Sequence, residues 1–208
     1  MVEVKICGLS TPETMQAALD AGADMVGLVF YAKSPRNVTL EKAQLLADQA
    51  RGFAKIVALV VDADDIFLHS MAQTLRPDFI QAHGHETPQR ISEIVALTRT
   101  PVIKAIKVET AEDVGLAKAF TAATFILYDA KAPKDLLPGG NGLSFDWTLL
   151  DNVTAPFMLS GGLTSLNVGD AIKLTQAPMV DVSSGVESAA GVKDARLIAK
   201  FINAAKSI

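Results

Sequence analysis

An apolar run of strand length, a polar turn and a segment of helical periodicity recur eight times along the chain, and a repeat of that kind leaves few folds open. The runs are Val2 to Cys7, Met25 to Phe30, Ala54 to Val61, Phe79 to His83, Val102 to Ile106, Phe125 to Tyr128, Pro156 to Leu159 and Met179 to Val182. The second is unbroken by any polar residue, as expected of a parallel strand covered on both faces. Helices are predicted from Pro12 to about Gly22, Leu40 to Ala50, Asp62 to about Thr74, Pro88 to Thr98, Ala111 to Phe120, Asp146 to Leu150, Leu166 to Leu174 and Asp194 to Ala205. Ser10-Thr11-Pro12-Glu13 reads as a capping box for the first of these and Asp62 as the cap of the third. Eight units in 208 residues leave 26 for each, close to the minimum for a strand, a helix and two short connections. The predicted fold is α/β, a minimal (βα)8 TIM barrel with residues 1–208 as one catalytic domain, and a doubly wound open sheet is the alternative. Ala130 to Ser144, with Pro133, Pro138 and Gly139-Gly140-Asn141-Gly142, is the one long irregular segment, and a mobile lid is expected there.

Half of the residues are hydrophobic, and no run approaches the ~18 consecutive apolar residues of a membrane span. The chain enters its first strand without the basic and apolar regions of a secretory signal, and its single cysteine excludes an internal disulfide framework, so a cytoplasmic location is expected. A net charge of −4 with no Lys/Arg cluster argues against nucleic acid and membranes as partners. The expected partner is a small molecule, with monomer and homodimer both left open.

In α/β barrels ligands lie where strands end and loops begin, so residues at strand C-termini are the candidates for chemistry. Cys7 ends the first strand. Alternation puts Lys5 on the same side, pointing into the barrel beneath the thiol, and closure brings the eighth strand alongside, making Asp181 a partner for Lys5. A nearby lysine would favour the thiolate, and Asp181 would weaken that help. Asp129 follows the sixth strand, facing inward with Leu127; it could cap a helix, pair with Lys131, or work as an acid opposite the thiol if its pKa were raised. Arg36, in Ser34-Pro35-Arg36-Asn37, could hold a carboxylate in a fork or simply be solvated. His83, inward at the end of the fourth strand, could hydrogen-bond a ligand. His83-Gly84-His85-Glu86 lacks a second His/Cys cluster, so no metal is expected. Ser160-Gly161-Gly162 and Ser183-Ser184-Gly185 follow the seventh and eighth strands, where barrels build phosphate cradles from backbone N–H groups, and Gly185 to Ala190 could add a helical turn.

Taken in order, Lys5-Ile6-Cys7-Gly8, Gly22-Ala23-Asp24, Ser34-Pro35-Arg36, His83-Gly84, Asp129, Gly139-Gly140 through Phe145-Asp146-Trp147, Leu159 to Leu163 and Asp181 to Glu187 resemble the phosphoribosylanthranilate isomerase family of tryptophan biosynthesis over the whole chain. The resemblance implies an Amadori rearrangement of a phosphosugar substrate with no metal or organic cofactor. It implies that Asp129 protonates the furanose ring oxygen and that Cys7 removes the proton from the second sugar carbon. It gives Arg36 the anthranilate carboxylate and gives the turns at Gly161-Gly162 and Ser183-Ser184-Gly185 the phosphate, with His83 and Asp181 beside the substrate. Ala82 and Leu143 depart from the family's usual leucine and lysine. The related barrel that acts on a bisphosphate would need a second cradle, which Asp62-Ala63-Asp64-Asp65 would repel.

Overall fold

The eight apolar runs become β1 (Glu3–Cys7), β2 (Met25–Phe30), β3 (Lys55–Val60), β4 (Phe79–Ala82), β5 (Val102–Val108), β6 (Phe125–Ala130), β7 (Phe157–Leu159) and β8 (Met179–Val182). In the computed structural model, which describes residues 1–131 and 139–208, each strand pairs in parallel with the next and β8 returns to β1, closing the barrel. Closure sets Lys5 opposite Asp181 across the β1–β8 seam.

Alternation then sorts the side chains. Met25, Val57, Ile103, Ala105, Leu127, Met158 and Met179 fill the interior, and Cys7, Val29 and Leu59 form a smaller apolar group above them. The outward residues, among them Val4, Ile6, Val26 and Leu28, pack under the helices in the larger core. These layers fill the barrel interior, as in other barrels of this kind, where ligands lie at the mouth.

Helices α1 (Pro12–Asp20), α2 (Leu40–Ala50), α3 (Asp65–Leu75) and α4 (Pro88–Thr98) follow the first four strands. Two predicted caps shift. Thr11, not Ser10, caps α1, accepting from the Thr14 N–H at 3.3 Å. Asp64, not Asp62, caps α3, accepting from the Phe67 N–H at 2.8 Å; Asp62 sits at φ +50° in the turn before it and instead accepts from the backbone N–H of His85. The weak fifth helix is α5 (Ala111–Gly115), which buries no residue and tightens after Gly115 into a 3-10 turn over Leu116–Ala119. The sixth is only a 3-10 turn, Trp147–Leu150. After β7, a turn in which the Thr164 N–H donates to Asn167 Oδ1 delays α6 until Val168–Thr175, two residues beyond the predicted start.

Three departures bear on the mouth. β5 runs two residues past Ile106 and carries Lys107 to the rim. β6 likewise runs through Asp129 to Ala130. Beyond a short turn at Ser184–Val186, the expected helical segment to Ala190 is an antiparallel ribbon, β9 (Glu187–Ala189) with β10 (Val192–Lys193), turned at Gly191 (φ +79°) before α7 (Ala195–Lys206). Of the expected lid, residues 132–138 with Pro133 and Pro138 lie outside the described residues. No helix among the described residues is long and apolar enough to cross a membrane.

Candidate active site

Cys7 is the last residue of β1, and Gly8 (φ +79°) turns the chain away so that the buried thiol stays at the mouth. Room for the sulfur comes from Gly27, its register partner on β2: a Cβ there would stand 2.9 Å from Sγ. Beneath it the fully buried Lys5 ammonium donates to Asp181 Oδ1 at 2.7 Å, and Ser160 Oγ lies 3.2 Å from Asp181 Oδ2. Burial pushes the Cys7 thiol pKa up, and the charges of Lys5 and Lys193 do not outweigh it. Lys5 favours the thiolate and Asp181 opposes it, as the sequence suggests, but burial is the larger effect.

Asp129 faces inward as predicted, but its partners are neither Lys131 nor a helix N-terminus. Lys107 Nζ lies 2.8 Å from Asp129 Oδ2, and His83 Nε2 lies 3.2 Å from the same oxygen. Lys131 pairs with Glu109 instead, at 2.9 Å. Burial acts to raise the Asp129 pKa, but the Lys107 charge prevails and holds it at about 2. The raised value set as the condition for an acid is not met by the carboxyl itself, because the extended β5 delivers a cation to it. His83, just past β4, is buried, and that burial and then Lys107 push its pKa down, leaving the ring neutral. The rest of its motif diverges: His85 reaches Asp62 at 3.1 Å near the surface, while buried Glu86 pairs with Lys104 at 2.7 Å.

Arg36 is buried at the rim, and its fork is already taken. Nε and Nη2 each donate to Glu187 at 2.7 Å, and Nη2 also reaches Gly140 O at 3.2 Å. Lys193 Nζ holds the same Glu187 at 2.6 Å, and these cations keep its carboxylate below the usual range against the pull of burial. The remaining edge of the guanidinium, Nη1, lies beside Gly140.

The two glycine turns converge as expected. Gly161 (φ +88°) must be glycine, since a Cβ would stand 2.6 Å from the Ala130 nitrogen; at Gly162 (φ +63°) a Cβ would stand 2.9 Å from the Leu143 backbone. With Ser183, Ser184 and Gly185 they line a cavity of about 360 Å³. It adjoins a second, bounded by Cys7, Arg36, His83 and Asp129 on its polar side and by Val29, Tyr31, Leu59 and Val61 on its apolar side. Asp181, Ser160 and Ser183 belong to both.

Four contributors escaped the sequence reading: Gly27, Lys107, Glu187 and Lys193. Gly27 was visible as a lone glycine inside a strand, a sign of close approach. Lys107 shares the alternation of Ile103 and Ala105 and needed only a longer strand. Glu187 and Lys193 lie in the ribbon that replaces the expected helical turn.

A family model described as N-(5′-phosphoribosyl)anthranilate (PRA) isomerase matches residues 4–204. The N-(5′-phosphoribosyl)anthranilate isomerase of Rhodopseudomonas palustris strain BisA53 is 54% identical over 210 residues, spanning 99% of this chain and 96% of that protein. The crystal structure of phosphoribosyl anthranilate isomerase from Thermotoga maritima superposes with a TM-score of 0.90 at 34% identity over the full length of both chains. A second structure, of a phosphoribosyl anthranilate isomerase in complex with reduced 1-(o-carboxyphenylamino)-1-deoxyribulose 5-phosphate, gives 0.87 at 33% identity, again over both whole chains.

Proposed function

The chain belongs to the N-(5′-phosphoribosyl)anthranilate isomerase family, the isomerases of tryptophan biosynthesis, and we propose that Asp129 is the general acid and Cys7 the general base of its reaction. The observation that carries this assignment is that a carboxylate and a thiol from distant strands bound one cavity, which opens onto a glycine-lined cradle. The substrate fits that layout in one direction. Its phosphate takes the backbone donors around Gly161, Gly162 and Ser183 to Gly185, its aromatic ring lies along Val29, Leu59 and Val61, and its carboxylate meets the free edge of Arg36. The sugar then spans the gap between Asp129 and Cys7, with Asp181 and His83 beside its hydroxyls.

Asp129 protonates the furanose ring oxygen; the C1–O bond breaks while the anilino nitrogen lone pair forms an iminium ion. That cation acidifies C2 and adds to the positive potential of Lys5 and Lys193 at Cys7, so that the thiol that burial favours releases its proton to solvent and becomes the thiolate. The thiolate takes the C2 proton. The resulting enolamine becomes the product when the C2 hydroxyl proton is lost and C1 gains one, so the atoms of the isomerisation balance. No step calls on a cofactor.

The test is the loss of anthranilate-ester fluorescence when protein meets freshly generated phosphoribosylanthranilate. Rapid loss is expected in the wild type, with kcat lowered at least a hundredfold in Cys7→Ser and in Asp129→Asn. Near-normal turnover in either variant would remove that residue from its role.

A further inference from the structure

An acid must carry a proton, and Asp129 in this site carries none. We propose that Lys107 supplies the proton that Asp129 delivers, so that the working acid is the Lys107–Asp129 pair rather than the carboxyl alone. The inference rests on the reading of Asp129 as general acid.

Register and hydrogen bonding carry it. Lys107 of β5 is paired with Asp129 of β6, and alternation turns both side chains to the mouth. Lys107 Nζ stands 2.8 Å from Asp129 Oδ2 and 2.6 Å from His83 Nε2. An ammonium can approach a ring nitrogen that closely only if the nitrogen bears no hydrogen and accepts. The ring proton must then sit on Nδ1, which faces the Gln81 amide at 2.8 Å. As placed, that amide offers its nitrogen and leaves Oε1 buried without a partner; turned over, it gives Oε1 the Nδ1–H. The turned-over Gln81 amide matches the acceptor tautomer that Lys107 demands of His83, and Lys107 places a second N–H on the Asp129 oxygen. Burial keeps His83 neutral, consistent with that tautomer.

Access completes the argument. The Asp129 and His83 side chains are 8% and 7% exposed, whereas Lys107 is 26% exposed. Of the three, Lys107 is the one that water can recharge. His83 beyond β4 and Asp129 on β6 face it; Asp181 of β8 acts on His83 across the mouth, and Glu109 is engaged by Lys131. In the step proposed, a Lys107 N–H bond breaks as its proton passes to Asp129, and the ring oxygen gains a proton as C1–O cleaves. Lys107 is left a neutral amine and takes a proton from solvent as the one collected by Cys7 is returned.

The experiment follows kcat and KM against pH for the wild type, Lys107→Met and Lys107→Arg, with Asp129→Asn as reference. At pH 7.5 Lys107→Met should lose at least tenfold in kcat with KM little changed. The deficit should narrow toward pH 5, where Asp129 takes its proton from water. Lys107→Arg keeps the charge and the ion pair but holds its proton, and should stay nearly as slow as Lys107→Met. Near-normal kcat in Lys107→Arg would reduce Lys107 to a fixed charge, and a deficit in Lys107→Met that is constant with pH would mean that it only shapes the site. Either result overturns the proposal while leaving Asp129 as the acid. Turnover surviving in Asp129→Asn would fail the underlying reading and the proposal together.

Discussion

A methyl group added at Gly27 would stand 2.9 Å from the Cys7 sulfur and 3.0 Å from its Cα, closer than real Cβ atoms come. The strand cannot yield, because Gly27 is tied into the ladder with both β1 and β3. The thiol must move instead. Gly27→Ala should therefore lower kcat at least tenfold with the fold retained, and change the rate at which iodoacetamide alkylates Cys7; normal kcat would show the sulfur has slack that the geometry denies it. Other single residues were legible in the sequence to the degree that their surroundings were local. The side of Cys7 and its pairing of Lys5 with Asp181 followed from alternation and closure. The charge state of Asp129 did not, since it depends on a lysine more than 20 positions away whose strand looked too short to reach. Arg36 shows the same limit: the residue was evident, but the Glu187 that occupies its fork comes from the far end of the chain.

Elements were predicted well in their centres and less well at their ends, because strand interiors answer to burial and ends to hydrogen bonds with other loops. The start of α3 separates the two. Asp62 and Asp64 both precede the helix, and local rules permit either as cap. His85 decides, by donating its N–H to Asp62 and leaving Asp64 to accept from Phe67. Asp64→Ala should lower stability by about 1 kcal/mol in urea titrations, the usual cost of a lost cap. Asp62→Ala should leave the helix intact but release His85; equal helix destabilisation by both would mean that the cap is shared. The ribbon of β9 and β10 was illegible for a related reason. Its short strands gain their place from Glu187, clamped between Arg36 and Lys193, and not from a pattern within the segment.

At the scale of the whole molecule, the barrel closes where β8 meets β1, and a fully buried ion pair crosses that seam at 2.7 Å. Two apolar residues of similar volume would often fill such a position at no loss of stability, whereas removing one partner strands a buried charge at a cost of about 3–5 kcal/mol. Lys5→Met should therefore destabilise strongly, because Asp181 would keep Ser160 as its one side-chain hydrogen-bond partner among the described residues. In Lys5→Met/Asp181→Leu most of that stability should return, since no lone charge remains inside the seam. Activity should not return with it. Lys5 contributes to the potential at Cys7, and Asp181 lines both cavities, so the repaired barrel would lack the charge that favours the thiolate and a polar wall beside the sugar. Urea titration and the fluorescence assay on the same preparations separate the two effects. A double variant that is stable and inactive places the pair in the chemistry, whereas one that is stable and active would make it a relic of closure and leave Cys7 to find its ionisation elsewhere.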